Sequence, residues 1–174
     1  VAALNNKRNP RVVSGLYNRS SEGARKTQRM LRYRVKLFES FEDLARSGIR
    51  AVLIAAPNDL HTYYILKALN RGLDVFCEKP VTNKLEDARK IRSILRDSSR
   101  ILMVGFNERY LERIHILKSL VRNGEVGQVR MVEAYHNQNI GAHILASGWL
   151  RDKTRSGGGV IHNAGIHLIN ILRF

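Results

Sequence analysis

Apolar and polar positions along this chain follow two rhythms. Residues 51–56 (AVLIAA) and 75–77 (VFC) are unbroken apolar runs, the pattern of strands buried on both faces of a helix-covered parallel sheet. Between them Tyr64, Ile65, Ala68 and Leu69 recur at helical spacing. Strand, helix and strand in quick succession predict a parallel βαβ unit. Its two strands end in the short polar stretches Pro57-Asn58-Asp59 and Glu78-Lys79-Pro80. In an open parallel sheet, ligands bind beyond the carboxyl ends of the strands, where these residues fall.

The same reading extends to both sides of the unit. A helix tail at 1–4 is closed by the Asn9-Pro10 break, and residues 11–17 (RVVSGLY) read as a strand. A basic helix follows at 22–31, with Ala24, Gln28 and Leu31 on one face, then a short strand at 35–38. Ser40 with an acid at Asp43 announces a capped helix whose buried side is Phe41, Leu44 and Ala45. After Pro80, Asn83 is the expected N-cap of a helix at 84–97 striped by Leu85, Ala88, Ile91 and Leu95. A buried strand at 101–104 and a helix at 110–121, with Leu111, Ile114, Leu117 and Val121 inward, come next. Residues 128–136 alternate as a strand does, and a final helix is expected over 160–174 after Gly157-Gly158-Gly159.

Charge and cysteine count narrow the class. The net charge is +15, from 30 Lys and Arg against 15 Asp and Glu, and residues 1–36 hold ten of the bases with the single acid Glu22. Such an excess can mark a nucleic-acid partner. Here it lies on an amphipathic pattern without interleaved aromatics, a helix-turn-helix cue or zinc-ligand spacing, which argues against nucleic acid and for a solvated face that attracts anionic cofactors. His115, His136 and His143 have no metal-ligand spacing, so no metal is expected. Cys77 is the only cysteine and sits in an apolar run; this fits a reducing, cytoplasmic setting. No apolar run reaches the length of a membrane span.

Five ordered blocks, APNDLH, CEKP, VGFNERY, GEVGQVRMVEAY and SGGGVIHNAGIHLIN, resemble the glucose-fructose oxidoreductase, inositol dehydrogenase and rhizopine-catabolism (Gfo/Idh/MocA) family. The resemblance implies an α/β fold: a Rossmann domain binding NAD or NADP, then a second α/β domain that shapes a site for a sugar or polyol, whose carbon is oxidised or reduced. It also implies homo-oligomers in a full-length form. Nowhere does the chain hold G-x-G-x-x-G; the nearest candidate, from Gly157, has His162 in place of the last glycine. That loop normally follows the first strand, which lies at the sheet centre. The expectation is therefore a Rossmann-like parallel sheet without its first strand and glycine loop over 1–124, the start of a second domain over 125–174, and a chain truncated at both ends. A non-catalytic relative, a sensor or partner-binding protein that kept the crevice, is the alternative.

The resemblance also suggests roles. Lys79 would hydrogen-bond the hydroxyl being oxidised, against the plainer reading of a surface lysine paired with Glu78. His167 would take the proton, and Asn163, one helical turn before it, would hold substrate. Many relatives carry Asp where Asn163 stands, so base duty falls on His167. His162 points elsewhere on a helix. Pro57, Asn58, His61, Glu78 and Asn107 match cofactor-contacting blocks, although Asn58-Asp59 also suits a turn and N-cap. Arg109 and Trp149 are candidate substrate contacts, with packing at a domain junction as the other role for Trp149. Asn18, Arg19 and Ser20 fall where the adenosine ribose is gripped. A neutral Asn18 beside cationic Arg19 leans toward NADP; the other reading makes Arg19 one more surface arginine.

Overall fold

In the computed structural model, residues 13–31, 33–137, 139 and 141–174 are described. The expected helix tail at 1–4, the Asn9-Pro10 break and the first two residues of the 11–17 strand lie outside them. β1 (Gly15–Tyr17) is followed by α1 (Ser21–Met30), β2 (Lys36–Phe38) and α2 (Phe41–Arg46). Serines start both helices: Ser20 Oγ accepts the Gly23 N–H, and Ser40 Oγ accepts the Asp43 N–H. Each satisfies a donor the first turn would otherwise strand, worth about 0.5–2 kcal/mol.

β3 (Ala51–Ile54), α3 (His61–Leu69) and β4 (Asp74–Cys77) form the βαβ unit, and α4 (Leu85–Arg96) leads to β5 (Leu102–Val104). All strand pairings are parallel. They fall into two sheets, β1-β2 and β3-β4-β5. No strand among the described residues joins β1 to β3, so the sheet is interrupted between these two strands, the place where the sequence reading expects a gap. The two parts meet through aromatic side chains: Tyr64 packs at 5.0 Å from Phe41 and 6.3 Å from Tyr17, between ring centroids.

The core lies on the α3 side of β3 and β4. Ile65, Ala68 and Cys77 are fully enclosed, and Val52, Ile54, Leu69, Leu73, Val75 and Ile91 nearly so. Each large side chain here stabilises the fold by about 1.5–3 kcal/mol through burial. Burial also pushes the Cys77 thiol up to about 12, which keeps it an unreactive space-filler.

The opposite side of the sheet corrects the sequence reading. Leu53 is 56% exposed and Met103 43%, and both share a register row with Phe76. Among the described residues helices cover one face only, so β3 alternates between buried and exposed residues. Ile101 and Leu85 are likewise exposed. Beyond β5, α5 (Glu112–Arg122) forms as expected but leaves Leu117 and Val121 open to solvent. Residues 128–136 make no strand, and Met131 and Tyr135 are exposed. An alternating pattern becomes a strand only when a neighbour takes its backbone hydrogen bonds, and none of the described residues does.

Three short helices, α6 (Gly141–Ala146), α7 (Gly148–Arg151) and α8 (Lys153–Ser156), then carry the chain to Gly157, whose φ of 79° suits glycine. The expected last helix is split into a π-turn, Ile161–Gly165, and α9 (Ile166–Leu172). No helix among the described residues is long and apolar enough to cross a membrane.

Candidate active site

The carboxyl ends of β3 and β4 form one wall of a crevice of about 210 Å³, lined by Ala56, Asn58, Glu78, Lys79, Trp149 and Asn163. His61, the first residue of α3, holds this wall together. It is fully buried, with Nδ1 2.7 Å from the Pro80 carbonyl oxygen and Nε2 2.8 Å from that of Ala56. A carbonyl can only accept, so the ring nitrogen that carries the hydrogen donates to its partner, and the tautomer decides which carbonyl that is. The ring thereby ties the loop after β3 to the loop after β4, which carries Lys79. Sequence reasoning set His61 beside the cofactor; here both its nitrogens face main-chain carbonyl oxygens.

Lys79 reaches across the crevice. Its Nζ donates to the Asn163 carbonyl oxygen at 2.5 Å and to Asn163 Oδ1 at 3.0 Å. Burial pushes the ammonium below the usual lysine value of 10.5, and the Glu78 and Glu108 carboxylates oppose that shift. Asn163 sits in the π-turn, a distortion that recurs at functional sites because it re-aims side chains.

His167 lies one turn further on, in α9 rather than in the crevice lining. It is 7% exposed, its Nδ1 is buried without a hydrogen-bond partner, and the Phe106 ring meets it edge-on. Glu108 Oε1 lies 3.9 Å from that Nδ1, outside hydrogen-bond reach. Burial holds the imidazole below its usual 6.5, with Glu108 pulling upward and Lys79 pushing further down. A neutral ring with an idle buried nitrogen and a carboxylate nearby is suited to receive a proton. Sequence reasoning missed Glu108, because nothing in residue spacing links it to His167.

The remaining candidates fall in different places. Pro57 precedes the 3₁₀ turn Asn58–Leu60. Asn58 is buried and does not cap α3, whose N-cap is Leu60 with no side-chain bond; its amide donates to the Ser156 carbonyl at 2.9 Å. Glu78 packs so closely that a Cβ at Gly105 would stand 3.1 Å from its Oε2. Asn107 is exposed. Arg109 donates through Nε to Asn170 Oδ1 at 2.8 Å and lies over the Phe106 and Phe174 rings, bracing α9. Asn18, Arg19 and Ser20 stand at the end of β1; Asn18 Oδ1 accepts from Ser20 N–H, and all three are exposed. No cluster of three His, Cys, Asp or Glu suited to a metal occurs among the described residues.

Comparison with known proteins supplies kinship. The profile of an oxidoreductase family with an NAD-binding Rossmann fold (GFO_IDH_MocA) matches residues 1–106, and that of the GFO/IDH/MocA C-terminal domain matches 114–174. Glucose-6-phosphate 3-dehydrogenase of Bacillus subtilis is 33% identical over 142 residues, 79% of this chain and 39% of that protein. Inositol 2-dehydrogenase of Gluconacetobacter diazotrophicus is 32% identical over 126 residues, 71% of this chain and 36% of that one. Among solved structures, an oxidoreductase domain protein from Kribbella flavida superposes with a TM-score of 0.81 at 27% identity, over 91% of this chain and 42% of that chain. The chain thus spans less than half the length of these relatives.

Proposed function

Because this chain belongs to the GFO/IDH/MocA oxidoreductase family, we propose that it works as an NAD(P)-dependent oxidoreductase, alone or as part of a longer protein, on a hydroxyl-bearing carbon of a sugar or polyol. The observation that carries this reading is the Lys79–Asn163 contact across the crevice, with the unpartnered Nδ1 of His167 one helical turn beyond. Of the ammonium's three donors Asn163 takes two, which leaves one for a substrate hydroxyl. As that hydroxyl loses its proton, Lys79 stabilises the growing negative charge. His167 receives the proton, and Glu108 stabilises the imidazolium that results.

A bound nicotinamide cofactor supplies the hydride chemistry. The polar, part-buried crevice fits its nicotinamide end, with Pro57, Glu78 and Lys79 as the residues to hold it. A glycine-rich cradle for its pyrophosphate does not occur among the described residues, so that end is left unassigned. Arg19 biases the site toward the 2′-phosphate of NADP, since the neighbouring Asn18 offers no carboxylate to repel it.

Titration with NADPH and NADH, followed through Trp149 fluorescence, tests the proposal alongside turnover of myo-inositol and glucose 6-phosphate. We expect tighter binding of NADPH. Lys79→Met should lower turnover by about 10²–10⁴-fold. No binding of either nucleotide up to millimolar concentration would overturn the enzyme reading.

A further inference from the structure

The geometry points to Asn83 as a positioning residue that sets where Asn163 sits in the crevice. Sequence pattern makes Asn83 a helix cap, but α4 is capped at Lys84 with no side-chain bond. The amide reaches instead to a segment more than seventy residues on. Its Nδ2 donates to the Arg155 carbonyl oxygen at 2.9 Å, and its Oδ1 lies 3.1 Å from His162 Nε2. Arg155 precedes the glycine run, and His162 immediately precedes Asn163.

Hydrogen-bond chemistry fixes each orientation in turn. The Arg155 carbonyl can only accept, so the NH₂ of Asn83 faces it and Oδ1 faces the imidazole. His162 must then carry its hydrogen on Nε2. The ring stands neutral above its usual range, because burial and the Lys79 ammonium both hold its pKa down. One N–H is therefore available, and Asn83 claims it.

The fit of the glycines is a separate observation. A Cβ at Gly157 would collide with Cγ and Oδ1 of Asn83, and one at Gly158 would lie 2.8 Å from Cβ of His162. Gly157 and Gly158 are bare where Asn83 and His162 occupy the space that side chains would need. Asn83 also shares its loop with Lys79, four residues before it. One short loop thus presents the lysine and holds the segment that presents the lysine's partner.

The kinetic consequence rests on the oxidoreductase reading above, whereas the structural claim does not, and the test separates them. In the ¹⁵N-labelled full chain, two-bond nitrogen–proton correlation reads the His162 tautomer. We expect Nε2–H in the wild type. Asn83→Leu should release it to a mixture of tautomers, and Asn83→Asp should keep it through the remaining acceptor. If the chain turns over, Asn83→Leu should lower kcat by about 10–100-fold with cofactor affinity unchanged, and Asn83→Asp should recover part of the loss. An Nδ1–H tautomer in the wild type, or an unchanged ring in Asn83→Leu, would overturn the assignment. Should Asn83→Leu fail to fold, the wild-type tautomer and the Asn83→Asp spectrum still decide. A correct tautomer in a chain with no turnover would count against the oxidoreductase reading alone.

Discussion

The crevice has two walls built by different physics. One is the carboxyl edge of β3 and β4, backed by the enclosed side chains Ile65, Ala68 and Cys77 and locked by His61. The other, residues 149–167, is docked onto the first by polar contacts: Asn58 to Ser156, Asn83 to Arg155 and His162, Arg155 to Asp59, and Lys79 to Asn163. Apolar burial carries no charge for salt to screen, whereas ion pairs respond to ionic strength and hydrogen bonds to titratable groups respond to pH. The first wall should therefore set global stability, and the second should govern how well the site is assembled.

Removing a core side chain should break both walls together. Ile65→Ala should cost about 2–5 kcal/mol, because it combines lost transfer energy with a residual cavity. Urea unfolding would show an earlier midpoint with a single transition. By contrast, Leu53→Ser on the bare face of the same sheet should stay within about 0.5 kcal/mol, as exposed substitutions do. Equal losses for the two variants would mean that the open face is covered in solution.

His61 sharpens the contrast, because it is a polar lock inside the apolar wall. His61→Leu keeps bulk but strands whichever of the Ala56 and Pro80 carbonyls the ring N–H serves, at a cost of about 1–3 kcal/mol if no water reaches it. The measurable result is a lowered denaturation midpoint, with partial recovery in His61→Gln, whose amide can still donate. A neutral His61→Leu would show that neither contact contributes.

Much of this arrangement is legible in the chain itself, and the illegible part has a common cause. Apolar runs and helical spacing locate β3, α3 and β4 because local pattern and tertiary burial agree there. The break between β1 and β3 is legible too, since the expected order puts no strand of residues 11–56 between them, and none of the described residues joins them. Leu53, Met103 and the 128–136 segment mislead for the reverse reason: an apolar residue is buried only if something covers it, and periodicity does not reveal the covering element. Side-chain hydrogen bonding is harder still. Asn58 and Asn83 both look like caps, since a short amide beside a helix start usually bonds the nearest N–H. Distant carbonyls at Ser156 and Arg155 win that competition instead, and no spacing rule connects them.

Acid should loosen the second wall before the first. His162 and His167 both have folded pKa values below the ordinary 6.5, so the folded state favours the neutral rings. Their contribution is intact above about pH 6.5. It is lost as pH falls from there toward the lowered folded values, because the unfolded chain takes up these protons first. Relative to the intrinsic exchange rate at each pH, hydrogen-exchange protection at the amides of residues 155–167 should therefore fall between pH 7 and 5 while that of β3 and β4 is kept. An equal loss of protection in both walls would place the acid sensitivity elsewhere.

The smallest effect belongs to Arg155 and Asp59, which pair at 3.1 Å near the surface. Both side chains keep about a third of their exposure, at 35% and 28%, so water and salt screen the attraction. A double-mutant cycle of Arg155→Ala and Asp59→Ala should give a coupling of about 0.2–1 kcal/mol, shrinking in 1 M salt, where the Debye length is about 3 Å. The carbonyl of Arg155, not its guanidinium, takes the Asn83 bond. Arg155→Ala should therefore leave the His162 tautomer untouched while it removes the ion pair. If that substitution moved the ring signal as far as Asn83→Leu does, the wall would be held by charge rather than by the amide, and the contrast between its polar contacts would have to be drawn differently.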